Sequence, residues 1–133
     1  MKVITLLGRI LFAFIFIASV PGLFGSAAIA DADAHGVPLA RIAVPLAGII
    51  SLIGGLSIAL GYRTREGAWL LVLFLVPVTL MMHPFWRASG AGAMVQQIMF
   101  LKNVSMLGAA LLIANFGGGG LSIDSRRANQ DRS

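Results

Sequence analysis

The chain has 133 residues, of which 58% are hydrophobic and only 11% charged, with a mean hydropathy of +0.91. That leaves too little polar surface to cover a water-soluble globule of 14.0 kDa, so lipid is the expected solvent and a soluble enzyme is excluded. The net charge of +5 would suit nucleic acid, but the ten Lys and Arg are spread over helix ends with no dense patch and no interleaved aromatics, so no nucleic-acid partner is expected. The absence of cysteine excludes disulfides, thiol chemistry and cysteine-ligated metal centres on this chain.

Four apolar runs, residues 3–24, 42–62, 67–86 and 94–116, fill most of the sequence. A hydrocarbon layer about 30 Å thick needs roughly 20 helical residues at about 1.5 Å each, and each run has that length. Backbone groups in lipid must be paired internally, and uninterrupted apolar runs lack the alternation of barrel strands. The expected fold is therefore all-α, a bundle of four transmembrane helices. Residues 1–124 are read as one transmembrane domain and residues 125–133 as a polar tail. Placing the N-terminus, the 62–66 turn and the tail on one side collects Lys2, Arg9, Arg63, Arg65, Arg126, Arg127 and Arg132 there, against Arg41, Arg87 and Lys102 opposite. The positive excess predicts both termini in the cytoplasm.

Lys2, the first apolar run and Ala28-Ile29-Ala30 before Asp31 also resemble a cleavable leader. The run exceeds the roughly 7 to 15 apolar residues of such a leader's core, and Arg9 interrupts it, which favours the first of four spans.

In the first run, Pro21 and Gly22 favour a kink or an early stop. The following stretch, 25–41, is rich in alanine, carries Asp31, Asp33, His35, Gly36 and Pro38, and has room for a short interfacial helix. In the second run Ala47, Ser51, Gly55 and Ala59 recur every four residues beside Gly48 and Gly54, a stripe that lets another backbone approach closely. Packing inside the bundle is the simpler use of it; a homo-oligomer face is the alternative. The short 62–66 turn predicts an antiparallel hairpin. Pro77 withdraws a donor from the Leu73 carbonyl and predicts a bend. The glycines at 117–120 lack the Lys-Ser/Thr and preceding strand of a phosphate loop and read as a helix stop.

Polar groups within hydrocarbon are costly, so Arg9, Ser51, Gln96, Gln97, Lys102 and Asn103 are the first functional candidates. Arg9 is shallow enough to snorkel to the nearer headgroups. At the end of the third run His83, Pro84, Phe85, Trp86 and Arg87 combine an imidazole, two aromatics and a cation at headgroup level. An aromatic belt explains them; a ligand site formed by His83, Trp86, Gln96, Gln97, Lys102 and Asn103 is the functional alternative. His35, His83, Asp31 and Asp33 share that outer side but lack diagnostic ligand spacing, so no metal site is assigned.

Gly8-Arg9-Ile10-Leu11, Leu52-Ile53-Gly54-Gly55, the 60–65 segment Leu-Gly-Tyr-Arg-Thr-Arg, His83-Pro84-Phe85-Trp86, Phe100-Leu101-Lys102-Asn103 with Leu107-Gly108, and Leu121-Ser122-Ile123-Asp124 follow one another in an order that resembles the DoxX family. The resemblance implies a small four-helix protein of the bacterial inner membrane. The founding name comes from a small subunit linked to a quinone-reducing thiosulfate oxidation complex, and other members are associated with oxidative-stress handling. It thus implies an accessory subunit or anchor for a redox enzyme on another chain, with a quinone as the candidate cofactor. Many members carry Glu where this chain has Ser51, which removes the obvious intramembrane carboxylate partner for Arg9 or Lys102. A non-catalytic binder or carrier of a small molecule or lipid, and a purely structural interaction protein, are the alternatives.

Overall fold

The computed structural model describes residues 1–133 and is helical throughout, without strands. The helices are α1 (Lys2–Ala18), α2 (Val20–Leu23), α3 (Ser26–Ala34), α4 (Ala40–Leu60), α5 (Thr64–Met82), α6 (Ala91–Phe116) and α7 (Ile123–Gln130), with a 3₁₀ turn over Phe85–Arg87. Four segments, Lys2–Leu23, Ala40–Leu60, Thr64–Arg87 and Ala91–Phe116, are long and apolar enough to cross a membrane. Only 17–33% of the most apolar stretch of each is buried within the protein, while Leu11, Phe14, Leu73 and Leu112 stand more than half exposed. Large side chains with that exposure need lipid around them.

The early stop expected at Pro21 is present, and the other helix ends depart from the bounds of the apolar runs for local reasons. The first span breaks at Ser19, because Pro21 has no amide with which to continue the ladder; proline instead opens the next turn, where its missing donor costs nothing. The second span starts at Ala40 and stops on Gly61, whose φ of +69° closes a Schellman-type end with Tyr62 N–H donating to Ser57 O (3.0 Å). The third begins three residues earlier than its apolar run, at Thr64, and ends at Met82, since the helical region is disfavoured for His83 before Pro84. The fourth begins at Ala91, directly after Gly90 at φ +63°. Within the 25–41 connection α3 occupies the place where a short helix is expected.

Packing follows chain order: α1 lies on α4, α4 on α5 and α5 on α6. The glycine stripe serves two neighbours at once. A Cβ on Gly55 would meet Ile17 Cγ1 of α1 at 3.0 Å, whereas one on Gly54 would sit 2.7 Å from Leu71 Cδ2 and 3.0 Å from Gly67 O of α5. Ser51, fully buried, donates to Phe16 O (3.0 Å) and ties α4 to α1. Ala13, Phe16, Ile58, Leu71, Leu75 and Ala110 form the core between these elements. Four spans bring both termini to one end of the bundle, with the α4–α5 turn and α7; α2, α3 and the 3₁₀ turn lie at the other.

Candidate functional site

At the end away from the termini, α3 folds back over α4. Ala32, Ala40 and Val44 make a small second core there, with Leu23, Val37 and Met82 against it. Beside it is a cavity of about 300 Å³ lined mainly by apolar side chains, among them Val44, Ala47, Phe74, Pro77 and Met81, with Asp31 and His83 as its charged or titratable members. Small residues explain the space: Ala28, Ala32, Ala43 and Ala47 all contribute to the wall.

His83 is half-buried, and its Nδ1 lies 2.8 Å from Gln96 Oε1, joining the end of α5 to the start of α6. With the amide oxygen accepting, Nδ1 donates, and Nε2 is left without a protein partner. Next to this pair Phe85, Trp86 and Phe100 pack edge to face, with centroids 5.2–5.8 Å apart. Just past the end of α3, His35 Nδ1 approaches Asp31 O at 2.8 Å and the Asp31 carboxylate at 3.5 Å. No three His, Asp or Glu side chains meet at metal-binding distance.

The other candidates distribute unevenly. Gln97 and Lys102 are exposed on the outside of α6, apart from the cavity wall. Asn103 is buried, 5% exposed, and also lies outside that wall. Trp86 belongs to the aromatic triad and is half exposed. The structure therefore unites His83 with Gln96 and leaves Gln97, Lys102 and Asn103 elsewhere on α6.

Arg9 belongs to the opposite end. It is 3% exposed and turned inward, with its guanidinium donating to Gly118 O, to Leu121 O (3.0 Å) and to Ala59 O (3.4 Å), while Nε has no partner. The snorkelling that its shallow position allows is thus replaced by main-chain carbonyls of the 117–121 turn. Absence of a side chain at Gly61 makes room: a Cβ there would be 2.7 Å from Arg9 Nη1.

Asp124 completes this end and escaped the sequence reading of functional groups. Its carboxylate accepts from Arg63 N (2.8 Å), Thr64 N (3.0 Å) and Thr64 Oγ1 (2.8 Å), and its own amide donates to Gly61 O (2.9 Å). It takes the place of an N-cap side chain for α5, whose N-cap residue is Arg63, from 60 residues away and with the favourable sign for the helix dipole. Burial by itself would raise this carboxyl, but the Thr64 and Arg63 hydrogen bonds and the charge of Arg127 outweigh it and hold the group below its ordinary value. The only sequence signal for this role was Asp124 in the 121–124 segment that resembled the family's ending.

These features define an integral membrane protein of four spans, closed at one end by a tail clamp and hollow at the other. Residues 4–84, from α1 through α5, match the DoxX family, and the chain belongs to it. It is 33% identical to Inner membrane protein YphA of Escherichia coli over 68% of this chain and 65% of that protein, and 36% identical to Inner membrane protein YqjF of the same organism over 69% and 65%. It is also 28% identical to ER-derived vesicles protein ERV29 of Saccharomyces cerevisiae, over 59% of this chain and 26% of that one. The matched region spans less than two thirds of each relative's length. No solved structure matches.

Proposed function

We propose that this protein binds a lipophilic ring compound in the cavity under α3, with a quinol or quinone as the ligand class, and that the end carrying the termini faces the cytoplasm of a bacterial inner membrane. The observation that carries the binding reading is the cavity of about 300 Å³, whose wall is apolar apart from Asp31 and His83. Ligand pockets span about 300–1,000 Å³, so this one admits a ring-sized headgroup and leaves an isoprenoid tail in lipid. The donor set fits: His83 Nε2 is free to accept from a quinol hydroxyl, Gln96 fixes the ring through Nδ1, and Phe74, Met81 and Met82 supply soft apolar contact. When bound, a quinone would supply two-electron redox chemistry; the residues here bind it, orient it and offer one proton acceptor.

Extraction of the purified protein and mass spectrometry of its lipophilic contents tests this. A quinone-class molecule near one per chain is expected, and Ala47→Phe, which fills the cavity, should remove it. Its absence from the unaltered protein rejects the reading.

Service as an accessory subunit of a redox enzyme is the second reading, favoured by the cluster of Phe85, half-exposed Trp86 and Phe100, which follows His83 of the cavity wall in the chain and offers a partner an aromatic surface. A stoichiometric enzyme co-purifying with the protein supports it. For sidedness, the cysteine-free chain is convenient: Ser133→Cys should resist a membrane-impermeant maleimide in intact cells, and Asp33→Cys should react. The opposite pattern reverses the orientation.

A further inference from the structure

We infer that the end carrying the termini holds an anionic phospholipid, with its headgroup beside Arg65 and Arg127 and an acyl chain along the outside of the α4–α5 hairpin. Two adjoining depressions carry the argument. One is a groove of about 530 Å³ on the hairpin, lined by Ile53, Leu56, Leu60 and Leu70 and bounded by Tyr62. Ile53, Leu56 and Leu60 are 42–57% exposed, so this groove faces the acyl chains of the bilayer. The other is a polar cleft of about 430 Å³ lined by Arg65, Gly117, Gly118, Gly119 and Ser125 among others. Arg63 and Glu66 line both, so a charged head and an apolar tail can occupy them together.

The charges are complementary to an anion once their existing partners are counted. Arg63 and Glu66 satisfy each other at 3.3 Å, and Asp124 already accepts three hydrogen bonds. Arg65 has no ion pair. Arg127 lies 4.9 Å over the ring of Tyr62, at the head of the apolar groove, and has none either, though it feels the charge of Asp124. The amides of Gly118, Gly119 and Gly120 donate to no protein acceptor, and Gly118 and Gly119 belong to the cleft wall. Unpaired guanidinium groups and free amides are the donors a phosphodiester takes. Thr64 and Thr5 press so closely on the glycines that a Cβ at 118 would come within 2.7 Å of Thr64 Oγ1 and one at 119 within 2.7 Å of Thr5 Cγ2, which keeps this stretch bare.

This site is separate from the cavity under α3, and its test is independent of any quinone. Full-length protein in detergent would be given equal amounts of phosphatidylglycerol and phosphatidylcholine with matched acyl chains, and retained lipid read by native mass spectrometry. Preferential retention of phosphatidylglycerol is expected, and Arg65→Gln with Arg127→Gln should reduce the preference about fivefold per arginine. Leu56→Trp, with both arginines intact, should lower retention by filling the groove. Equal retention of the two lipids by the unaltered protein, or a preference unchanged in the double variant, overturns the proposal. Inorganic phosphate at millimolar concentration should leave the lipid bound; displacement would assign the arginines to a soluble phosphate and overturn the lipid assignment.

Discussion

Asp124 does more for the fold than its position at the edge of the polar tail suggests, because its carboxylate accepts from the Arg63 amide just before α5 and from the Thr64 amide and hydroxyl that open it, and neither amide has a helical partner of its own. Removing it with Asp124→Ala strands those donors, and stability should fall by about 1–3 kcal/mol. Asp124→Asn keeps an oxygen acceptor but loses the charge, so it should cost less. The acid response separates the two effects. Since the folded carboxyl titrates below its ordinary value of 3.8, its contribution is complete above that pH and is lost as the pH falls further toward the folded value. Thermal unfolding in detergent should therefore show an acid-dependent loss below about pH 4 that Asp124→Asn diminishes. An equal loss in the variant would assign the acid sensitivity to another carboxylate.

At the scale of elements, α4 is the shared wall of the bundle, and its glycine pair separates two contacts by one residue. Gly55 admits α1 and Gly54 admits α5, so each tolerates a side chain differently. Gly54→Ala puts a methyl against Leu71 and the backbone oxygen of Gly67, which cannot rotate away; overpacking of this kind costs about 1–3 kcal/mol. Gly108→Ala is the matched control, because nothing lies within 4 Å of a Cβ there, and it should be neutral or slightly stabilising in its helix. Unfolding midpoints of the two variants check the contrast. The stripe was legible in sequence because small residues at four-residue spacing have few uses in a membrane helix other than close packing. The four spans were legible for the same kind of reason, since length and hydropathy are set by the bilayer. The stop of the first span was legible too, from Pro21 and Gly22, but the start of the third was not, because Thr64 depends on a carboxylate 60 residues away.

For the molecule as a whole, the two ends differ in the kind of partner their polar residues find. His83 meets Gln96, side chain to side chain, across a loop short enough that the sequence placed both at one depth. Arg9 meets carbonyls of residues 118 and 121, and main-chain acceptors have no residue identity to read, so a cation that sequence reasoning sent toward headgroups is in fact buried. The absence of a glutamate at Ser51 fits this arrangement: the charge of Arg9 is met by backbone dipoles and, at longer range, by Asp124. The tail then holds the charge in place, and losing it leaves the guanidinium uncovered. Deleting residues 117–133 should therefore destabilise the bundle by more than Asp124→Ala alone, because it removes both the cap of α5 and two acceptors of Arg9. An uncompensated buried charge costs about 3–5 kcal/mol, but with the tail gone the guanidinium is open to water and headgroups and carries no such cost. Arg9→Met should therefore weaken the full-length protein, where it strands the carbonyls of Gly118 and Leu121, and change the truncated one little. That disappearance of the effect, read from unfolding midpoints of the four proteins, is specific to a tail that Arg9 anchors; a loss of equal size in both backgrounds would show that Arg9 acts through α1 packing alone.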